Sequence, residues 1–456
     1  MNFMQDMTKG SPLRLLVSFS IPLLIGSLFQ QFYTMADSII VGKFVGADAL
    51  ASIGACSSVI YLLFSLFFGL SAGIGIVISQ YFGAGDGSAV RRGIACSVYL
   101  LAAASLLLTL IGLVFARPIL TILGTPSEIM GDAAAYFQIT SAGLVAVAFY
   151  NGISSVLRAL GDSKTPLIFL ALAALLNVGL DLLFVPVFHM GVAGAALATA
   201  IAQFASACTC LVFSIRTNPY FRIRREDFRP SAELIRQMLH IGLPLGLQNA
   251  MIAFSCVMLQ VVINSFGTVI VAVFTATNRI ENLVNQIYIA ANTALSNFTA
   301  QNLGAGNTDR VRAGTRCCLK ITTRFSLAMI AVMFLLGRLF MSWFVTDVAV
   351  IETGAKALKL ISFFFLFWGF LYVFRGTLNG AGNAGFALAS GVLEVVGRMG
   401  CAFLLTAIPF IGQWGIWLAE GVTWILVAAA GAFCYLKGTW TRKRLTDTAP
   451  RICTEP

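Results

Sequence analysis

Two aspartates lie inside long apolar stretches of the sequence, where a charged side chain is costly. Asp37 falls in the first apolar stretch and Asp181 in the fifth. Asn177 precedes Asp181 by four residues, so both side chains project from one face of a helix. Thr199, in the sixth stretch, is flanked by small residues that permit close helix approach. Two carboxylates, an amide and a hydroxyl form an oxygen-rich set that suits a hard cation, or a proton shared between acids.

A structural role for the same acids is the alternative. Asp37 and Asp181 could cap or hydrogen-bond unwound backbone near the ends of membrane spans, and Asp37 lies only five residues before Gly42. A carboxylate deep in lipid costs roughly 2.5–3.5 kcal/mol on insertion scales. Because of that cost, we favour an ion-binding role over capping.

A second group of polar residues lies in apolar stretches of the other half of the chain. It consists of Gln260, Arg279, Glu281, Glu394, Arg398 and Glu420. Arg398 follows Glu394 by four residues on one helix face, and Glu420 lies on the last stretch. Because a buried charge needs a partner, we interpret these residues as a polar network in which Arg398 permanently takes the place of a mobile cation. For the residues around Glu281, cavity lining and helix–helix hydrogen bonding are equally consistent with the pattern.

Membrane spans must position both groups. Of the 456 residues, 58% are hydrophobic and 11% charged, whereas roughly 25% are charged in an ordinary soluble domain. A membrane-spanning helix needs about 20 mostly apolar residues. The sequence therefore predicts an all-α polytopic membrane protein of twelve transmembrane helices. They lie near 15–41, 51–80, 93–116, 132–157, 165–187, 191–215, 239–265, 268–300, 317–343, 355–377, 384–409 and 413–436.

The net charge of +11 indicates topology rather than a nucleic-acid partner. With the N-terminus inside, 22 of the 30 Lys and Arg residues fall in inner connections, Arg375 among them, and 4 in outer ones. This asymmetry is the positive-inside pattern. It predicts a multi-pass protein of the inner (cytoplasmic) membrane with both termini in the cytoplasm.

The chain is a duplication. QYFGAGDGSAVRRG at Gln80–Gly93 reappears as QNLGAGNTDRVRAG at Gln301–Gly314, 221 residues later, and Pro22 and Pro244 agree at 222. Six spans per half make the repeat parallel, so we predict two six-helix lobes related by a pseudo-two-fold axis along the membrane normal. The predicted division is an N-terminal lobe at 1–215, a cytoplasmic linker at 216–236, a C-terminal lobe at 237–440 and a cytoplasmic tail at 441–456.

The internal repeat allows the two polar groups to be compared position by position. Asp37 corresponds to Met258 or Leu259, Asn177 to Arg398, Asp181 to Ala402, and Thr199 to Glu420. The second half thus lacks both acids and has gained an arginine. We therefore expect the exchangeable cation in the first half.

Several stretches resemble the multidrug and toxic compound extrusion (MATE) family. They are IPLLIGSLFQQFYTMADSIIVGKFVGADALA at Ile21–Ala51, the paired GAGD and GAGN loops, and RALGDSKTP at Arg158–Pro166. The likeness covers essentially the whole chain. It implies a twelve-helix antiporter that exports mainly cationic drugs in exchange for Na⁺ or H⁺. Several relatives carry an acid on the seventh helix, but this sequence has none between Ile241 and Phe266.

The resemblance also implies roles for individual residues. Asp37, Asn177, Asp181 and Thr199 become the cation-coupling residues, and the metal ligands if the ion is Na⁺. Pro22 removes a backbone hydrogen bond inside the first span, which predicts a kink or hinge. By the resemblance, this kink moves during transport.

The predicted function is secondary active export of small organic compounds, mainly cationic ones, by alternating access. The expected protein is a monomer in the lipid bilayer that uses no cofactor besides the coupling ion. The alternative is a flippase of a lipid-linked precursor, for which a strongly cationic cavity would be favoured. An enzyme is not expected, because the sequence contains no HExxH motif and no phosphate-binding loop.

Overall fold

The computed structural model describes residues 4–441, and helices and turns are the only regular structure in that range. Nearly all of the predicted tail at 441–456 lies outside the described residues. The first half contains α1 (Pro12–Phe44), α2 (Ala47–Gly83), α3 (Gly87–Val114), α4 (Ala116–Ile122), α5 (Met130–Ala159), α6 (Lys164–Phe184) and α7 (Gly191–Thr217). The second half contains α8 (Ala232–Asn264), α9 (Thr268–Gly304), α10 (Thr308–Ser342), α11 (Val348–Ser362), α12 (Phe365–Gly380), α13 (Ala384–Thr406) and α14 (Gly415–Leu436).

Most of these helices are long and apolar enough to cross a membrane. Ten meet that description singly among the described residues, and α11 with α12 makes an eleventh as a pair bent by 49°. The predicted continuous span at 355–377 is therefore broken around Phe363. The remaining predicted span, 268–300, lies in α9, which has 37 residues but carries charged and amide side chains that lower its hydropathy. The all-helical fold class is confirmed.

The structure repeats with the register read from the sequence. Helices α2 and α9 both begin and end 221 residues apart. Each is followed by a glycine in the left-handed region, Gly85 with φ 78° and Gly306 with φ 79°. Side chains other than glycine are strained in this region, so the GAGD and GAGN loops are equivalent turns. After the first, the Asp86 carboxylate accepts hydrogen bonds from the backbone N–H groups of Ser88 and Ala89 and caps α3.

The described residues form two compact units. One comprises residues 4–6 and Ile21–Gly246, and the other comprises Met7–Ser20 and residues 247–441. Helices α1 and α8 therefore each contribute to both units. In α1 the division falls two residues before Pro22. The lobe boundaries predicted at 1–215 and 237–440 stay a prediction.

Glycines allow two helices of the first unit to meet at backbone distance. A Cβ on Gly69 of α2 would lie 2.0 Å from the backbone nitrogen of Gly246, and a Cβ on Gly73 would lie 2.5 Å from Gly242. Both helices thus carry a small-xxx-small pattern on the contact face, as in closely packed membrane helices.

Candidate cation-coupling site

Three helices of the first unit bring the four predicted coupling residues together. Helix α1 supplies Asp37, α6 supplies Asn177 and Asp181, and α7 supplies Thr199. The carboxyl groups of Asp37 and Asp181 lie within hydrogen-bonding reach of one another. The amide of Asn177 donates to Thr199 Oγ1 at 3.2 Å, and that hydroxyl donates to the Ala195 carbonyl at 3.1 Å. The structure thus places the four residues close together, and their role in ion coupling stays a prediction.

The site is rich in oxygen atoms that no hydrogen-bond donor reaches. Asp181 is fully buried and Asn177 is 2% exposed. Apart from the approach of the two carboxyl groups, neither Asp181 oxygen has a hydrogen-bond partner among the described residues, and Asp37 Oδ1 and Asn177 Oδ1 also lack one there. Buried acceptors without donors are costly. A bound cation or proton would relieve that cost at each of these oxygens.

The oxygen set fits a weakly held hard cation or a proton. Carboxylate, amide and hydroxyl oxygens are ligands of hard cations, and two close carboxyl groups also hold a shared proton. Among the described residues, no group of three or more His, Cys, Asp or Glu side chains is placed to hold a metal ion. The site therefore has two acids, with neutral oxygens completing it.

The second unit contains a buried ion-pair cluster where the repeat predicted a polar network. Arg398 Nη2 lies 3.6 Å from Glu394 Oε2, and Arg398 Nε lies 3.8 Å from Glu420 Oε1. Arg398 also donates to the hydroxyl of Ser255 on α8. Glu281 of α9 is buried beside Arg398 and Glu420. Glu281, Glu394, Arg398 and Glu420 thus lie close together, and the network's predicted role stays a prediction.

The predicted position of Arg375 in the topology is wrong. It was assigned to an inner connection, but it lies in α12, is 6% exposed and donates to Glu394 Oε1. Arg375 comes shortly before a glycine-rich turn. An arginine at the end of an apolar stretch is typical of a cytoplasmic loop, so the sequence predicts a loop residue at this position. Arg375 gives Glu394 a second cationic partner.

Two predicted members of the cluster lie elsewhere. Gln260 donates to Asn264 Oδ1 at 2.8 Å on its own helix. Arg279 is exposed, and it lies two residues before Glu281, so its side chain projects from a different face of α9. The structure therefore does not bring Gln260 or Arg279 to Arg398.

A family comparison decides what kind of protein this architecture belongs to. A model of the MatE family matches residues 22–183 and 244–404, which is more than half of the chain. The chain belongs to the MATE family. The two matches begin 222 and end 221 residues apart, so the family model divides the chain in the register of the internal repeat. MATE proteins are membrane transporters and not enzymes.

Whole-length relatives agree with the MATE assignment. The chain is 31% identical over 444 residues to the probable multidrug resistance protein YpnP of Bacillus subtilis (strain 168), covering 96% of this chain and 98% of the relative. It is 25% identical to the multidrug export protein MepA of Staphylococcus aureus (strain bovine RF122 / ET3-1), with 97% of each covered. A solved outward-facing multidrug resistance MATE transporter of the MOP superfamily has a TM-score of 0.88, 25% identity and 98% coverage of both chains.

Three residues near the predicted coupling residues were not predicted from the sequence. Gln203 of α7 is 9% exposed, and its Oε1 has no hydrogen-bond partner. Tyr33 of α1 lies beside Asp37 and within hydrogen-bonding reach of Gln203. Tyr136 of α5 lies near both aspartates. Gln203 follows Thr199 by four residues and Tyr33 precedes Asp37 by four, so helical spacing held the signal for both.

Proposed function

We propose that this MATE protein is a secondary active multidrug exporter that exchanges organic cations for Na⁺ or H⁺ by alternating access. The observation that carries the proposal is the set of donor-free oxygens on Asp37, Asn177 and Asp181. A cation that enters from outside neutralises these oxygens and stabilises one arrangement of α1, α6 and α7. The curated relatives named as multidrug resistance or export proteins support the substrate class.

Thr199 orients the amide in the proposed site. The Thr199 hydroxyl donates its proton to the Ala195 carbonyl. It therefore acts as an acceptor toward Asn177 and fixes the orientation of the amide nitrogen. The amide oxygen, Asn177 Oδ1, is then left without a donor and is available to a cation. Asp37, Asn177 and Asp181 are the proposed ligands when Na⁺ is the ion, with Thr199 contributing its remaining lone pair.

Pro22 is the proposed hinge of α1. Proline removes one backbone hydrogen bond and clashes with the preceding turn, which lowers the cost of bending at that point. The division of α1 between the two compact units lies beside it. Cation binding at Asp37, on the same helix, would thereby bias the bend. The proposed protein acts as a monomer in the plasma membrane, with both termini in the cytoplasm.

The stoichiometry determines which gradient drives export. One elementary charge moving through 100 mV gains about 2.3 kcal/mol. If one monovalent drug leaves for each monovalent ion, this electrical energy cancels, and only the chemical gradient of the ion remains. Export that is insensitive to membrane potential would therefore indicate one-for-one exchange.

The test uses purified protein in liposomes loaded with a fluorescent cationic dye. A Na⁺ gradient and a pH gradient are imposed separately, and dye movement is followed against protein-free liposomes. We expect at least one gradient to drive transport. If neither does, the antiporter proposal fails for this dye class, and flipping of a fluorescent lipid-linked sugar in the same liposomes would favour the flippase alternative.

A further inference from the structure

A cavity of about 850 Å³ lies in the first unit, away from the coupling residues. Its walls are formed by α3, α5 and α7 and by the segment that joins α7 to α8. The walls are largely apolar, with Ile94, Leu101 and Ile153 among them. Its charged lining residues are three arginines, Arg91, Arg222 and Arg224, and none is acidic.

The joining segment covers the cavity as a packed structure. The Tyr220 ring meets Phe82 of α2 edge to face, with ring centroids 5.6 Å apart. The Tyr99 hydroxyl of α3 donates to the Phe228 carbonyl at 3.0 Å. The backbone N–H of Ser231 lies 3.4 Å from Cys96 Sγ. The segment predicted as a linker at 216–236 therefore forms one wall of a defined cavity.

The rim of the cavity has an excess of positive charge. Arg91 lies 3.5 Å from Asp227. Arg222 donates only to backbone carbonyls of α7, at 3.4 Å and 3.2 Å. Arg222 and Arg224 are exposed, and neither forms an ion pair within the described part of the chain. Two guanidinium groups are thus available to an anion.

The apolar wall opens toward the surroundings of the unit. Leu211 and Ile215 line the cavity and are 38% and 42% exposed. Both belong to α7, a predicted membrane span, so their exposed surface faces a hydrocarbon-like environment. The arginines lie at the end of the spans that the charge asymmetry predicts to be cytoplasmic.

We propose that this cavity binds an anionic phospholipid of the cytoplasmic leaflet. The phosphate is held by Arg222 and Arg224, and one acyl chain lies along the apolar walls of α3, α5 and α7. Basic pockets between transmembrane helices on the cytoplasmic side are suited to such headgroups. The arginine fork also matches the geometry of a phosphate. Binding would fasten the joining segment to α3 independently of the transport cycle.

Native mass spectrometry of the full-length protein in detergent tests this site. Phosphatidylglycerol and phosphatidylcholine of identical chains are added separately. We expect preferential retention of phosphatidylglycerol. Arg222→Gln and Arg224→Gln should each weaken it about fivefold, since a basic residue near the membrane surface contributes roughly 1 kcal/mol. Val98→Trp, which places a larger side chain in the lined volume from α3, should weaken retention of both lipids while keeping both arginines.

Arg225→Gln is the matched control, because Arg225 is exposed in the same segment but does not line the cavity. It should retain the parental preference, and circular dichroism should show every variant folded. Equal retention of the two lipids would overturn the proposal. So would retention of phosphatidylglycerol at the parental level in Val98→Trp, or competition by glycerol phosphate as strong as that by the whole lipid, because the acyl chain would then contribute nothing.

Discussion

Equivalent positions in the two halves of the chain solve the problem of buried charge in opposite ways. In the first half, both Asp181 oxygens lack a hydrogen-bond partner beyond the approach of Asp37. In the second half, Arg398 stands at the position of Asn177 and lies between Glu394 and Glu420. Under the proposed function, the duplicated scaffold would receive positive charge reversibly in one half, whereas in the other half a covalently attached arginine carries it.

The largest expected effect comes from removing the receiving acid. Asp181→Asn should reduce gradient-driven dye transport at least tenfold, because the amide cannot hold the cation's charge. Asp37→Asn should act in the same direction. Asp48→Asn is the matched control, since Asp48 is exposed in the first turn of α2. Transport at the parental rate in a correctly inserted Asp181→Asn protein would contradict the coupling site.

Removing the fixed charge of the other half should act on stability first. Arg398→Gln leaves Glu394 and Glu420 with less compensation, and breaking such a buried pair costs about 3–5 kcal/mol. We expect a lower thermal unfolding midpoint in detergent. Adding Glu420→Thr removes one of the stranded acids and should recover part of the loss.

The same double variant tests the idea of a covalent stand-in for the ion. With Arg398→Gln and Glu420→Thr, the second half has an amide and a hydroxyl where the first half has Asn177 and Thr199. Calorimetric titration should then detect a second cation-binding event. A stable double variant with unchanged ion stoichiometry would rule out the stand-in interpretation, and lost transport without any change in stability would rule out a purely structural role.

The two repeat-related prolines provide a smaller contrast. Pro22→Ala restores a backbone donor in α1 and should slow transport several-fold while cation binding is retained, because the ligands are untouched. Pro244→Ala makes the same change in α8, which carries no coupling acid, and should slow transport less. Equal transport rates in the two variants would contradict the assignment of Pro22 as the hinge.

Gln203→Ala should have the smallest effect, a loss of about two- to fivefold in affinity for the coupling ion. Its unpartnered oxygen adds one neutral acceptor to the site, worth about 1 kcal/mol. The equivalent position in the second half is Trp424, which stacks on Trp368 with centroids 4.2 Å apart, so no oxygen is offered there. Gln138→Ala serves as the amide control, and an unchanged ion titration for Gln203→Ala would exclude Gln203 from the site.

Helical spacing made part of both sites predictable. Asn177 with Asp181, and Glu394 with Arg398, were paired by four-residue intervals, because such intervals place side chains on one helix face. The repeat register then identified Glu420 as a neighbour of Arg398. Contacts between helices far apart in the sequence were predictable only at positions that the repeat register relates to each other.

Other features depended on tertiary packing and were missed. Arg375 of α12 forms an ion pair with Glu394 of α13. No local sequence pattern distinguishes such a buried arginine from one in a positively charged loop. The bend between α11 and α12 falls within an unbroken aromatic run, where hydropathy predicts one span. Gln203 was overlooked because an amide in a span is usually engaged by a neighbouring helix, and its free oxygen is visible only once the partners are placed.

The division of α1 and α8 between the two compact units has a consequence for biogenesis. The unit that contains the proposed coupling residues also contains the start of α8, up to Gly246, where the glycine contacts with α2 are made. Ribosomal synthesis reaches that segment only after the first six predicted spans have been made. The first unit therefore cannot finish packing until the second half has begun to emerge, and fragments separated at residue 215 would each lack a piece of their own interior.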